Sequence, residues 1–231
     1  MGEANSSIAS SLVLCDTVQK YGRGATSRQI MRTGTEITKR SRGRPRGFST
    51  EEVLEKVRGV FLAKGFTGAS LDELAAAAGL NRPSLYAAFG DKEQLYIATL
   101  RFYGTKSIEG LDAILAGPGT IQQRLARVYS AAIDLYTAPP HRPGCMIVGT
   151  AAVESPTYPK IAAAAAELLA AIEKSLERAF AASDLPARPT PSARARMAGA
   201  IMYAIAIRAR LGAKASDLKT FANSMVPTIC A

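Results

Sequence analysis

The sequence predicts an all-α fold, and three observations carry that reading. Apolar residues recur at the 3.6-residue helical period rather than in alternation. Segments open on Ser, Thr or Asp followed three residues later by Glu or Gln, the signature of a helix N-terminus. From Gly104 onward no strand pattern occurs. The chain has 231 residues, 48% of them hydrophobic and 21% charged, which suits one large or two small domains with a real core. That mix excludes wholesale disorder and a collagen-like fibre, and no apolar run approaches the roughly 18 residues that a membrane span needs.

The formal net charge of +10 is concentrated near the N-terminus. Nine basic residues between Lys20 and Arg46 oppose a lone glutamate, Glu36, whereas residues 47–92 are close to neutral. Residues 1–42 therefore read as a basic, disordered arm, suited to a polyanion or simply solvated. Three short patterns there are decoys: a loose myristoylation match at Met1–Ser6, a sequon at Asn5–Ser7, and an apolar run from Ile8 to Cys15 preceded by Glu3 instead of a positive charge. Translation starting at Met31 is an alternative reading of the arm. Cys15, Cys145 and Cys230 are too scattered for a chelating pair or disulfide framework, and His141 is the single histidine. No metal or cofactor is implied, and a reducing, cytoplasmic setting is expected.

Helical punctuation is dense from Ser49. The box Ser49-Thr50-Glu51-Glu52 opens a helix to about Lys64, with Val53, Leu54, Val57, Val60 and Phe61 on one face and Gly65 as a left-handed end. Ser70 and Glu73 cap a short helix through Ala78, and Gly79 ends it. Asn81 caps the next, with Pro83 in its first turn, Leu85 and Phe89 facing inward and Gly90 closing it. Asp91 to Gln94 caps a fourth helix to about Tyr103. Two short helices around a glycine turn make a helix-turn-helix, with Ala75 small, Gly79 in the turn and Leu85 as the core anchor. A helical hairpin without function has the same spacing.

The run Gly43 to Phe48, the first helix with Gly65-Phe66, and Ser70 to Glu93 closely resemble the N-terminal domain of TetR/AcrR-type transcriptional regulators. Leu80 to Lys92 matches that family's recognition helix and following turn almost throughout; the long arm departs from the pattern. The resemblance implies that the third helix enters the major groove of double-stranded DNA. It makes Arg82 the base reader, Asn81 and Ser84 exposed neighbours, and Pro83 an apolar contact. Ser70, Tyr86 and Lys92 are then phosphate contacts, and Arg44 and Arg46 reach phosphates or a minor groove. Tyr86 packed on the first helix, and Lys92 merely solvated, are the structural alternatives.

Beyond the Gly117-Pro118-Gly119 break, helices are expected at Thr120–Tyr136, Cys145–Val153, Ile161–Ala181, Ser192–Leu211 and Ser216 to about Ile229, with Pro156 and Pro159 ending the second of these. Nine helices fit the TetR-type plan: a DNA-binding domain over 43–92 and a helical effector-binding and dimerisation domain over 93–231. Met197, Ile201 and Ile205, with Leu218, Phe221, Met225 and Ile229, are candidate dimer faces or plain core. Phe102, Tyr103, Tyr129, Tyr136, Cys145, Met146 and Met202 are candidates to line an effector cavity, and the scarcity of inner charges points to a neutral or weakly polar effector.

The function expected is a ligand-responsive homodimeric regulator, a repressor, that binds a palindromic operator and is released by a small molecule. Cys145 lies near an expected helix start, where a thiol can be reactive, so a thiol-based redox or electrophile sensor is the alternative. A cysteine enzyme built on Cys145 and His141 lacks an orienting acid and an oxyanion motif. A nucleoid protein without sequence choice is the remaining rival.

Overall fold

A computed structural model describes residues 48–138 and 144–231. The basic arm, Arg44, Arg46, Cys15 and His141 lie outside the described residues. Within them the chain is all-helical: α1 (Thr50–Gly68), α2 (Leu71–Ala78), α3 (Arg82–Phe89), α4 (Lys92–Leu115), α5 (Ile121–Tyr136), a π turn (Ile147–Ala151) running into α6 (Ala152–Glu154), α7 (Pro159–Ala181), α8 (Pro191–Arg210) and α9 (Ala215–Cys230).

Most expected caps form. Ser70 with Glu73 and Asp91 with Gln94 each make the reciprocal box, the Asn81 side chain accepts from the Ser84 amide, and a further box, beyond those expected, forms between Thr120 and Gln123. Ser49 is an exception: its backbone is extended as an N-cap requires, but its side chain makes no cap bond. Helix α1 breaks where expected, because Gly65 takes φ +72, and one further turn through Gly68 carries Phe66 into the core.

Three expectations fail, two of them for identifiable reasons. Helix α4 runs on past Tyr103 to Leu115. Gly104 sits inside it because Leu168 of α7 packs so closely that an added Cβ would lie 2.5 Å from its Cδ2. Pro159 begins α7 instead of ending the preceding helix, since a first-turn proline forfeits no helical bond. The helix expected over Cys145–Val153 is largely a π turn.

Helices α1 to α3 gather around Val57, Phe61, Leu74 and Leu85, all buried. Behind them α4 packs along α7, α7 along α8, and α9 against α5 and α8. The expected domain boundary at residue 92 falls on the first residue of α4, a helix shared by both groups. Arg194, 1% exposed, ties α8 to its surroundings by donating to the carbonyls of Pro186, Pro189, Ile229 and Ala231. Among the described residues, no helix is long and apolar enough to cross a membrane.

Candidate nucleic-acid interface and cavity

The α2–turn–α3 unit is held from inside. Gly79 takes φ +68 and donates to the Ala76 carbonyl, while the Leu80 amide reaches back to Ala75 at 3.0 Å. Leu85, 3% exposed, anchors α3. That anchorage leaves Asn81, Arg82, Pro83 and Tyr86 outward and Ser84 half-buried. Tyr86 is 43% exposed, which leaves much of its ring open to solvent.

Arg82 is not idle on that surface. Its guanidinium forks onto the Asp72 carboxylate one helix back, with Nε donating to Oδ1 at 2.5 Å and Nη2 to Oδ2. The fork holds the Asp72 carboxyl below its usual range and raises Arg82 above its own. Because both groups are exposed, the pair is loosely held and the arginine can exchange partners.

Ser70 and Lys92 are placed differently. The Ser70 hydroxyl accepts from the Glu73 amide at 3.2 Å and donates to its carboxylate at 2.9 Å, so its polar capacity serves α2. Lys92 turns away from α3: Nζ donates to the Thr67 carbonyl at 3.3 Å and lies 4.8 Å from the centre of the Phe66 ring. Desolvation there lowers its pKa.

Of the seven expected cavity residues, Tyr103, Tyr136, Cys145, Met146 and Met202 surround one cavity of about 80 Å³ between α1, α4, α5 and α8. Phe102 and Tyr129 do not. Phe102 stacks edge-on against Tyr103 at 5.4 Å with Lys106 over its ring. Tyr129, fully buried, donates to the Ala198 carbonyl at 3.2 Å and underlies a separate depression of about 350 Å³, more polar and edged by an Asp134–Lys219 ion pair. That larger hollow holds none of the other expected cavity residues. Burial pushes the Tyr103 phenol up to about 12 and Tyr136 well above its ordinary value, with Cys145 adding to the latter. Among the wall residues not expected from the sequence is a charged one, Arg58, whose guanidinium stands 4.0 Å from the Tyr103 ring centre.

The cavity wall connects to the α1–α4 junction. Thr150 of the π turn bonds Tyr96 of α4 at 2.7 Å and the Met146 carbonyl at 2.9 Å. Four residues on, Glu154 accepts from both the amide and the hydroxyl of Thr67, just before α2. Tyr96 also packs edge-on against Phe61 and Phe66.

Residues 53–99 match the family model described as bacterial regulatory proteins, tetR family. The HTH-type transcriptional repressor ComR of Escherichia coli (strain K12) is 27% identical over 195 residues, covering 82% of this chain and 93% of ComR. Together these similarities support a TetR-family transcriptional regulator. The chain shares its fold with CifR, solved as a cysteine mutant bound to 26-bp double-strand operator DNA (TM-score 0.68, 24% identity, 80% of this chain and 98% of that one). It also shares it with reduced NemR of E. coli (TM-score 0.68, 22% identity, 78% and 96%). Transcription regulation through a helix-turn-helix, as a repressor, is the family role these similarities support.

Proposed function

We propose that this TetR-family chain acts as a homodimeric repressor. Two copies place α3 in successive major-groove faces of a palindromic operator, and a small molecule in the Tyr103–Tyr136–Met202 cavity releases them. One observation carries the reading: an α3 locked from within by Leu85 presents Asn81, Arg82, Pro83 and Tyr86 outward along one short helix. A groove contact of this size is too small alone, and two-fold pairing doubles it over half-sites about 34–36 Å apart. CifR was solved on double-strand operator DNA, and ComR is a repressor, which supports the same role here.

The pairing surface is narrower than the sequence expected. Ile205, Leu218 and Ile229 are buried within the chain itself. Met197, Ile201, Phe221 and Met225 are half-buried, and Ile207 and Leu211 stand exposed on and just after α8. An exposed apolar patch of this kind favours a second copy.

Release follows from differential binding: an effector that prefers one arrangement of Cys145, Met146 and Ile147 biases the π turn. Through Tyr96 and Thr67 it then biases the setting of α2 and α3. Thiol sensing is the second reading, favoured by the position of Cys145 in the cavity wall beside Tyr136. CifR was studied as a cysteine mutant and NemR in reduced form. In that case oxidant or electrophile adds at Cys145 and occupies the same space.

The test is selection of genomic fragments by the purified chain, followed by footprinting. An inverted repeat protected symmetrically supports the reading; salt-dependent binding with no preferred sequence contradicts it and favours a nucleoid role.

A further inference from the structure

The cavity wall is apolar on most sides, with Leu100, Ile172, Met146 and Met202 contributing, and Arg58 is its one charged side chain among the described residues. Among the described residues Arg58 makes no hydrogen bond or ion pair, and its guanidinium lies over the face of the Tyr103 ring. Glu55, the acid whose field it feels, is engaged by Lys106 at 3.5 Å. Burial pulls the Arg58 pKa below the guanidinium norm, outweighing the opposing pull of Tyr103 and Glu55, so the cation is largely desolvated and only partly compensated. A desolvated charge left in that state is costly unless something else completes it. The neighbouring phenols do not, because burial holds Tyr103 and Tyr136 protonated and neutral across ordinary pH.

We infer that the effector is a small organic anion, a monocarboxylate, whose oxygens take the idle N–H donors of Arg58 while its short apolar remainder lies among Leu100, Met146, Ile172 and Met202. This rests on the reading that the cavity is the effector site, and it replaces the neutral effector expected from the sequence. Guanidinium pairs with carboxylate through parallel charge-assisted bonds, stronger than neutral ones, and the low-polarity wall strengthens them further. A volume of about 80 Å³ limits the ligand to a short chain in this conformation.

The test compares acetate, propionate and butyrate with acetamide, propionamide and butyramide at constant ionic strength. Binding to the full chain is read from the rise in melting temperature with concentration. At least one acid is expected to bind tenfold or more tighter than its amide, Arg58→Gln to erase that preference and Arg58→Lys to retain part of it. Equal binding of acids and amides, or no rise with any acid, overturns the proposal, and the comparison in the unmodified chain is decisive if the variants fold poorly. Filling the cavity with Met202→Trp separates the two claims. If amides bind as well as acids and both are lost in that variant, the effector site stands and the anion class falls. If acid binding survives the filled cavity, both fall.

Discussion

The Glu154 carboxylate takes two hydrogen bonds from Thr67, one from its amide at 2.9 Å and one from its hydroxyl at 2.7 Å. Thr67 lies in the turn between the Gly65 break and α2, and Glu154 closes the segment that begins at the cavity wall. One carboxylate therefore joins the region proposed to sense to the region proposed to bind. Glu154→Ala should cost about 1 kcal/mol of stability in urea unfolding, the usual worth of a partly exposed hydrogen-bonded contact. It should also accelerate amide hydrogen exchange at residues 66–70. Unchanged exchange there means the contact does not hold the turn.

Arg82 forked on Asp72 sets a second expectation. Arg82→Ala should weaken binding to the selected operator by roughly 5- to 150-fold, the worth of one bidentate base contact, and relax one operator position. Lys92→Ala should lower the melting temperature through loss of its Thr67 contact while leaving the salt dependence of DNA binding unchanged. A shallower salt slope in that variant would assign Lys92 to a phosphate instead.

Close packing at Gly104 predicts the sign of another substitution. In an open helix, alanine is better than glycine by about 1 kcal/mol. Here the new methyl meets Leu168 Cδ2 at 2.5 Å and Cδ1 at 2.6 Å, both on a buried side chain. Overpacking of that kind costs about 1–3 kcal/mol, so Gly104→Ala should destabilise, and Leu168→Ala should relieve the clash in a double-mutant cycle. Additive effects would contradict the contact.

Acid sensitivity follows from Glu73. Its bond with Lys64, then its two contacts with Ser70, bring its carboxyl down to about 2 from a reference near 4.5. A depressed folded-state pKa stabilises the native state above the unfolded value, and the contribution fades as pH falls from about 4.5 toward 2. Glu73→Gln should flatten the stability profile across that window and leave it parallel above pH 5. An unchanged acid limb would show that the box is not populated in solution.

The sequence was most legible where the structural cause is local. Ser70 with Glu73, Asp91 with Gln94 and Asn81 with Ser84 are each three residues apart, and all close as their spacing demands. Ser49 offered the same signal, yet no cap bond forms, because spacing permits a cap without enforcing one. The continuation of α4 past Tyr103 through Gly104 had no local signal, because the side chain that packs on that glycine, Leu168, lies far along the chain. Thr67 and Glu154 are 87 positions apart and carry no pattern that could pair them. Arg58 passed unnoticed since a charge in an amphipathic helix normally faces water. Phe102 and Tyr129 were grouped with true wall residues because helical periodicity marks a side chain as inward without saying whether it meets space or another side chain.

The most direct measurement of the central claim is the stoichiometry and spacing dependence of binding to the selected inverted repeat, by light scattering and titration. The account predicts an even number of chains per operator, and a collapse of affinity when the half-sites are moved apart by about half a helical turn, roughly 5 base pairs. One chain bound per site, with affinity indifferent to that insertion, would contradict it.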